Sequence, residues 1–315
     1  MKRIFLIIIA CMFFGLSFGQ NSASLKMNLE KNRTYRLRSV SEQTIVQTVN
    51  GNQQTIETAS DYTISVKMVD ATPAFIVTEV RFDTLSTKTN TMGKTDITSS
   101  AAAGSLQAET SSGIMSYFMN RMTKNPLYAK LDFTGKVIEI VNAKMVSDMI
   151  LKDTSSISLA EPAASALKLQ VNNMVNENAF KTIIELFTFC LPGKTVAAGE
   201  SWSYTNSSDA GGMLLDITTT FKLDGISGNK ASVTSESNIR TSPNAKPMES
   251  GGAKITYDDL KGMNKAAIII DINTGLVIEN TSKTRLAGIL GVSVAGMNMQ
   301  IPMEVNGESK ITLVQ

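Results

Sequence analysis

Apolar and polar residues alternate along the first part of the chain, which is the period of a β-strand with one buried face. The pattern is clearest from Tyr35 to Val40 and from Tyr62 to Met68. Asn50-Gly51 lies between these stretches, and an Asn-Gly pair is a strong signal for a tight hairpin turn. The alternation therefore predicts three or four long antiparallel strands joined by short turns.

The pattern changes to a helical period near residue 112. Residues 90–111 are rich in Ser, Thr, Ala and Gly without a period, and we predict a mobile loop there. Apolar residues then recur every three or four positions, which predicts a short amphipathic helix over 112–123. Asn125-Pro126 ends this helix, and a hairpin with its turn at Gly135 is predicted over 127–141.

Two further helices are predicted before residue 190. Asn142 is a candidate N-cap for the first of them. Its apolar stripe consists of Met145, Val146, Met149 and Ile150. Pro162 stands where a helix commonly begins, and one long amphipathic helix is predicted from there to Pro192-Gly193.

The last third of the chain returns to the strand period. The predicted strands are Ser201–Thr205, Leu214–Leu223, Ala231–Ile239, Ala266–Ile272, Leu276–Arg285, Met297–Val305 and Lys310–Val314. Turn signals containing Gly separate them, including Asn273-Thr274-Gly275 and Asn306-Gly307, while 242–252 is predicted as a loop. This stretch therefore predicts a second antiparallel sheet region.

Two segments of the first half recur in the second half in the same order. Asp61–Asp70 is echoed by Asp216–Asp224, and Ala129–Glu139 is echoed by Ile269–Glu279. Such repetition indicates an internal duplication, although common hairpin sequences can also arise independently. The interpretation adopted is duplication.

The predicted fold class is α+β, with predominantly antiparallel β-structure in two related curved-sheet halves that form an open half-barrel. We expect a first β-rich half over 20–141, with its short helix near 112–123, a helical insertion and seam over 142–198, and a second β-rich half over 199–315. The helices are expected to cover the apolar face of the sheet, as in other α+β proteins.

The N-terminus has the layout of a secretory signal peptide over residues 1–19. Lys2 and Arg3 precede an apolar run over 4–14, and Gly19 stands before Gln20 at the expected cleavage position. Export to the periplasm or the extracellular space is therefore predicted, with no transmembrane span after cleavage. The alternatives are an outer-membrane lipoprotein anchored through Cys11 and a retained anchor helix.

Charge and residue types exclude several function classes. The chain has 30 Lys and Arg against 28 Asp and Glu, and removal of Lys2 and Arg3 makes it neutral, so no nucleic-acid partner is expected. It contains no His, which removes His-dependent triads and His metal sites. Gly193-Lys194-Thr195 lacks the earlier glycine of a phosphate-binding loop, because Thr188 stands there. No cofactor is expected.

The seam between the predicted halves holds the unique Trp and the cysteine that remains after signal cleavage. The predicted structural residues of this seam are Cys190, Pro192, Gly193, Gly199 and Trp202. Cys190 lies among apolar neighbours, so a buried inert thiol is the favoured interpretation over a reactive one. The seam is predicted to dock the helices onto the second sheet half.

Methionines are frequent on the predicted inner faces of the helices. The candidate apolar pocket consists of Met115, Phe118, Met119, Met122, Met145, Met149 and Met174. Flexible thioethers line adaptable apolar pockets, but they also fill ordinary cores, and core packing is the favoured interpretation. Met297, Met299 and Met303 form a further apolar segment near the end of the chain.

Several of these features together resemble uncharacterised families of exported β-rich proteins from Bacteroidota-type bacteria. The resemblance is carried by Gly19-Gln20, the hairpin 132–137, the seam 191–202 and the segment 296–303. Such families have no assigned activity, so the resemblance implies export and a β-rich fold and no mechanism.

The sequence is most consistent with a non-enzymatic, exported cell-envelope binding or scaffold protein. Its candidate ligand is a lipid or another apolar small molecule, held between the sheet and the Met-rich helices. One alternative is a structural or adhesive surface protein that binds an envelope protein. Another is a hydrolase with an unrecognised carboxylate or Ser-Lys site, since such groups can converge from distant positions.

Overall fold

A computed structural model describes residues 22–161, 163–210, 213–250, 253–294 and 297–314. The predicted signal peptide and Cys11 lie outside these ranges. The structure is mostly antiparallel β-sheet with four α-helices, so the predicted α+β, predominantly β fold class is confirmed.

Fifteen strands make up most of the described chain. They are β1 (Ser22–Leu25), β2 (Thr34–Val49), β3 (Asn52–Ala71), β4 (Ile76–Thr91), β5 (Lys94–Ser99), β6 (Leu127–Leu131), β7 (Val137–Ile140), β8 (Lys194–Ala197), β9 (Ser201–Ala210), β10 (Met213–Ser227), β11 (Lys230–Thr241), β12 (Met248–Ser250), β13 (Ala253–Asp271), β14 (Val277–Val294) and β15 (Met297–Val314). The helices are α1 (Ser111–Lys124), α2 (Ala143–Leu151), α3 (Ala163–Met174) and α4 (Glu177–Thr188), with a 3₁₀ turn at Thr154–Ser156.

Thirteen strands form one open sheet in the order β7-β6-β4-β3-β2-β15-β14-β13-β11-β10-β9, with β5 also on β4 and β12 also on β13. All of its neighbouring strands are antiparallel. The remaining two strands, β1 and β8, pair in a small separate sheet. β15 thus sits in the middle of the large sheet, between β2 and β14.

The two halves of the large sheet have the same strand order. β2-β3-β4-β6-β7 form one five-stranded meander, and β9-β10-β11-β13-β14 form another. The repeated sequence segments fall on equivalent strands, since 61–70 lies in β3 and 216–224 lies in β10. The predicted duplication therefore has a counterpart in the topology.

The two repeated turns also have matching structures. Asp132 accepts a hydrogen bond from the backbone N–H of Thr134 at 2.8 Å, and Asp271 accepts one from Asn273 at 3.1 Å. Both turns contain a glycine with positive φ, 85° at Gly135 and 75° at Gly275. Each closes a hairpin, between β6 and β7 and between β13 and β14.

The segment that follows β1 crosses both turns. The N–H of Met27 donates to the carbonyl of Phe133, and the N–H of Asn28 donates to the carbonyl of Thr274, both at 2.9 Å. Consecutive residues of one segment therefore bridge the equivalent turns of the two halves. This arrangement fixes the halves relative to each other near the helices.

The helices lie on one face of the sheet at the end where these turns occur. Thr110 caps α1 through the N–H of Gly113, and Asn176 caps α4 through the N–H of Ala179. Because Asn176 starts a new helix, the predicted single helix from Pro162 is two helices. Asn142 makes no cap hydrogen bond; its side chain binds the N–H of Tyr128 and the carbonyl of Pro126 instead.

Three further predictions of local structure are wrong, one of them the loop over 242–252, which contains β12 (Met248–Ser250). The predicted loop over 90–111 contains β5, which pairs with β4 from Lys94 to Ser99. The predicted turn at Asn306-Gly307 is continuous strand, because β15 has partners on both sides there. Gly307 pairs with Thr284 on β14 and with Gln43 on β2, and these ladders override the local turn signal.

The main core lies between the helices and the near half of the sheet. Alternate strand residues supply its sheet side, among them Leu37, Ile64 and Ile268, which expose 0–3 % of their surface. The helices supply the other side, including Phe118, Phe180 and Phe187, which expose 0–1 %. The long strands continue well beyond this helical layer.

Candidate functional site

The sheet face that carries the helices holds two separate apolar clusters. The first is the main core, and the second lies farther along the same strands. The second cluster, called the distal cluster here, consists of Leu215, Leu260, Met303 and Val305 with Ile45, Met213, Ile217, Ile239, Tyr257, Leu286 and Leu290 around them. Every member of this cluster comes from a strand, so the helices of the described chain do not contribute to it.

Small polar residues separate the distal cluster from the main core. Ser282 and Ser309 hydrogen-bond across β14 and β15 at 2.9 Å. Asn264 donates to Thr284 at 2.7 Å one step farther along the strands. At the core border, Asn280 Oδ1 is buried without a hydrogen-bond partner among the described residues. The polar band therefore divides one sheet face into two apolar regions.

The distal cluster continues into a projection formed by 253–257, 289–294 and 297–302, which we call the tongue, and β12 pairs along its 253–255 side. Strand register places its residues in rows across β13, β14 and β15. On the face of the distal cluster the rows are Ala253, Val294 and Met297; Ile255, Val292 and Met299; and Tyr257, Leu290 and Ile301. All nine are apolar or aromatic, so this face of the tongue is continuous apolar surface.

A small cleft of about 120 Å³ lies beside the distal cluster. Met213 and Tyr257 line it together with the loop from Ser242 to Pro247. Burial raises the pKa of the Tyr257 hydroxyl above its usual value. The cleft thus adjoins the distal cluster near the connection between β11 and β12, with a mixed polar and apolar lining.

A larger cleft, about 1520 Å³, is a trough on β2, β13, β14 and β15. Most of its side chains alternate with core residues, as Arg38 does with Leu37, so the trough lies on the face away from the helices. Its basic residues are Arg38, Lys261, Lys265, Lys283, Arg285 and Lys310.

Cross-strand ion pairs engage several basic side chains of this trough. Lys283 lies 2.7 Å from Glu308, and Lys310 lies 2.9 Å from Glu279. These side chains are about half exposed or more, and such pairs contribute roughly 0–1 kcal/mol each. Although this trough is larger than the cleft beside the distal cluster, its charged side chains are those of a solvated outer face. The distal cluster is the stronger candidate for an apolar ligand.

The structure divides the predicted methionine pocket. Met115, Phe118, Met119 and Met122 expose 0–6 % and belong to the main core, and Met174 packs partly buried against it. Met145 and Met149 expose 56 % and 45 %, so the prediction that they face inward is wrong. The inner face of α2 is formed by Ala143, Val146 and Ile150. Residues 112–190 do not line the 1520 Å³ trough.

The seam residues Cys190 and Trp202 contact each other. The indole N–H of Trp202 donates to the carbonyl of Cys190 at 3.1 Å, and its ring stacks on Phe221 at 5.5 Å. Burial raises the pKa of the Cys190 thiol to about 12. The thiol is therefore protonated and inert, and Trp202 joins the end of the helical segment to β10.

The other seam residues shape the backbone around these contacts. Gly193 and Gly199 have φ of 68° and 89°, a region that favours glycine. The N–H of Gly193 donates to the carbonyl of Leu25, and that of Gly199 donates to Leu223. Pro192 follows Leu191, whose carbonyl accepts the hydroxyl of Tyr204. The seam thus connects β1, the helices and β10.

Neither metal ligation nor a membrane-spanning helix is found in the part of the chain that the structure describes. No three His, Cys, Asp or Glu side chains there are placed to hold a metal ion. Within the same ranges, no helix has the length and apolar character needed to cross a membrane.

Sequence reasoning named part of the distal region but not the cluster itself. The apolar segments 289–292 and 297–303 are recognisable in the sequence, whereas the residues that join them from other strands are not. The stretch from Leu286 to Met303 contains no charged residue, and this signal is readable from the sequence. The contributions of Ile45 and Ile217 depend on strand order, which the sequence does not show.

The geometry defines an α+β protein built on one open antiparallel sheet that helices cover over only part of its length. The chain belongs to a family of unknown function, DUF6263, whose model matches residues 74–277. Membership of an uncharacterised family is thereby confirmed. The matched range runs from the start of β4 to the start of β14 and includes the helices and the seam.

Among solved structures, the chain is similar to one described as lipid–protein interactions in lipovitellin. The TM-score is 0.50 at 9 % identity, and the match covers 91 % of this chain and 26 % of that one. The chain therefore spans about a quarter of the length of that protein. At this identity the likeness concerns the fold alone.

Other similarities are weaker. An outer membrane channel from Pseudomonas putida F1 matches with a TM-score of 0.20 at 6 % identity, covering 91 % of this chain and 97 % of that one. Salmonella typhi OmpF in complex with daunomycin matches with a TM-score of 0.23 at 6 % identity, covering 91 % and 99 %. No curated protein matches the chain.

Proposed function

We propose that this protein is a non-enzymatic, exported binding protein that holds the acyl chains of a lipid on the distal cluster and the adjoining tongue. The observation that carries the proposal is the second apolar cluster, built from strands alone beyond the helical layer. The ligand position differs from the one expected from the sequence, which was between the sheet and the helices.

The chemistry of this surface suits an apolar chain. Its members are aliphatic residues and methionines on adjacent strands, and burial of such side chains yields about 25 cal/mol per Å². Leu286, Leu290 and Met303 are neighbours along β14 and β15, so a long chain can follow the strand direction. The hydroxyl-rich band at Ser282 and Ser309 would meet the polar end of such a ligand.

The fold likeness is compatible with this proposal. The similar structure carries a title concerning lipid–protein interactions, and that description belongs to lipovitellin. The distal cluster of the present chain is what makes a lipid the favoured ligand class here.

Two adjacent residues of β2 provide a matched test. Ile45 belongs to the distal cluster, whereas Val46 lies on the opposite face, and both are half-buried. We expect Ile45→Gln to weaken binding of a fluorescent fatty acid about tenfold, because one buried aliphatic side chain contributes about that much. Val46→Gln should leave binding unchanged. Lipids should also be detected by mass spectrometry of the purified protein.

The proposal is contradicted if the purified protein carries no lipid and binds no fatty acid. It is also contradicted if Val46→Gln weakens binding as much as Ile45→Gln, since the effect would then not be specific to the cluster. Unfolding midpoints of both variants show whether a loss of binding reflects a loss of folded protein.

A second candidate function, binding an envelope protein, is favoured by exposed apolar side chains at the β7 end of the sheet. Ile138 and Val141 expose 50 % and 54 %, next to the exposed methionines of α2. Edge strands can pair with a strand of another chain. Specific capture of an envelope protein that Ile138→Lys abolishes, with no lipid bound, would favour this function over the first.

A further inference from the structure

The end of the β14–β15 hairpin is free of charge. Arg285 and Glu304 are the nearest charged residues on these two strands, and none occurs between them in the sequence. The hairpin is paired from Glu279 with Thr312 to Val294 with Met297. Its distal portion is therefore an uncharged structure at the far end of the molecule from the helices.

The apolar face of the tongue is partly open to solvent. Met297 and Met299 expose 67 % and 39 % of their surface. Pairing of β15 with β2 ends at Met303 and Gln47, and among the described residues the outer edge of β15 has no strand partner beyond that point. Pro302 explains this end, because proline has no N–H to donate to the ladder.

The opposite face of the tongue on β14 and β15 is uncharged, with an apolar row of Ile289 and Pro302 and polar residues nearer the end of the hairpin. Ser293 pairs with Asn298 and Gly291 pairs with Gln300 in the strand register. The Ser293 hydroxyl donates to Asn298 Oδ1 at 2.6 Å, which satisfies these groups within the hairpin. Removing the hairpin end from water thus buries no ionised side chain there.

From these observations we propose that the tongue is a membrane-contact element that lies in the interface of a lipid bilayer. This inference deepens the proposed function and rests on it. Interfacial binding requires one apolar face and scales with the apolar area buried. The three rows of apolar residues on β13, β14 and β15 provide that face.

Continuity with the distal cluster favours a bilayer over a protein partner. Tyr257 and Leu290 belong both to the cluster and to the tongue. A lipid chain that leaves the bilayer at Met297 can therefore reach Val305 along one apolar face, since the rows between them contain no charged residue. The tongue would thus serve as the entry for the ligand.

The unpaired edge of β15 limits the depth of insertion. Backbone groups without partners are costly in the hydrocarbon region, so the tongue rests in the headgroup boundary and does not span the bilayer. Lys254 lies on the opposite face of the tongue, paired in register with Ser293 of β14 and with Glu249 of β12.

Flotation with vesicles tests this inference. The probes are vesicles of phosphatidylethanolamine with phosphatidylglycerol, and vesicles of phosphatidylcholine alone. We expect the full chain to float with the vesicles and the double variant Met297→Glu, Met299→Glu to partition at least about tenfold more weakly, because lost burial of one methionine already corresponds to that factor. The matched control is Met145→Glu, Met149→Glu on α2, two exposed methionines far along the chain from the tongue.

The outcomes separate this inference from the proposed function. If the tongue variant loses flotation but still binds soluble fatty acid, both stand. If the unaltered protein floats but binds no fatty acid, the proposed function fails while membrane contact stands. The inference is overturned if the unaltered protein does not float, or if the α2 variant loses flotation equally. It is also overturned if the tongue variant abolishes self-association instead, which would identify a second copy as the occupant.

Discussion

Trp202 connects three parts of the molecule through one side chain. Its ring exposes 8 % of its surface, stacks on Phe221 of β10 and donates a hydrogen bond to Cys190 at the end of the helical segment. Tyr204, two residues farther along β9, donates to the carbonyl of Leu191. These two aromatic residues hold the seam against the second half of the sheet.

Replacing Trp202 should therefore destabilise the protein strongly. Trp202→Ala is expected to lower the free energy of unfolding by ~3–5 kcal/mol, through the lost packing and the cavity left behind. Trp202→Phe retains an aromatic ring but loses the N–H, and the lost hydrogen bond should cost ~0.5–1.5 kcal/mol. Denaturant unfolding measures both values. An unchanged midpoint for Trp202→Ala would contradict the assigned role.

Glu185 of α4 gives the stability a dependence on pH. Its Oε1 accepts the N–H of Val137 at 2.9 Å, while burial is the main cause that raises the pKa of its carboxyl group. A raised pKa in the folded state means that its stabilising contribution is present below the unfolded value near 4.3 and is lost as pH rises through the folded value. At neutral pH the buried carboxylate therefore costs stability.

Glu185→Gln should remove this cost. The amide oxygen can still accept the N–H of Val137, but it carries no charge to desolvate. We expect a higher melting temperature than the unaltered protein at pH 7, with a difference that fades toward pH 4. Glu177→Gln, at the more exposed start of the same helix, should not reproduce the gain. A gain that persists below pH 4 would argue against the pKa explanation.

The error at Met145 and Met149 shows the limit of residue-level inference from the sequence. Two faces of α2 carry apolar residues. Met145 and Met149 lie on one face, and Ala143, Val146 and Ile150 lie on the other. The helical period alone does not choose between two apolar stripes. The contacts of the hairpin 127–141 and the neighbouring helices decide which stripe is buried.

At the scale of elements, the turn at Gly135 requires glycine because the backbone of Thr188 lies very close to it. A Cβ there would lie 1.9 Å from the carbonyl oxygen of Thr188, and the Thr188 hydroxyl donates to the carbonyl of Gly135 at 2.6 Å. The hairpin β6–β7 thus packs directly against the end of α4. Gly199 shares a positive φ, but a Cβ there would meet nothing within 4 Å.

These two glycines form a matched pair of substitutions. Alanine at either position should lower the free energy of unfolding by roughly 1–2 kcal/mol, because its Cβ disfavours the left-handed conformation. Gly135→Ala should cost a further ~1–3 kcal/mol because α4 must shift away from the turn. Thermal or denaturant unfolding checks the difference. Equal losses would show that backbone conformation, and not the contact with Thr188, determines the need for glycine.

Most strands and helices were predictable because their patterns are local. The hairpin at Gly135, helix 112–123 and the strands of the second half follow from period and turn residues. β5 escaped prediction because Lys94–Ser99 has no apolar alternation and is defined by its pairing with β4. The break at Asn176 was missed because the apolar pattern continues across it, whereas the cap to Ala179 restarts the helix.

At the scale of the whole molecule, the duplication was visible in sequence and the binding region was not. Short similar segments such as 61–70 and 216–224 indicate related units, since equivalent strands retain a similar alternation of apolar and polar residues. The distal cluster combines Ile45, Ile217 and Met303, which lie far apart in the chain. Their meeting depends on β15 pairing with both β2 and β14, a long-range arrangement that periodicity does not encode.

The central place of β15 also sets the order in which the sheet can be completed. It follows every other described strand along the chain, yet it lies between the two meanders. As the chain is synthesised in sequence order, the edges of β2 and β14 that pair with β15 stay unpaired until residues 297–314 are made. During that interval each edge exposes unpaired N–H and C=O groups to wrong partners. The last strand therefore controls the timing of assembly.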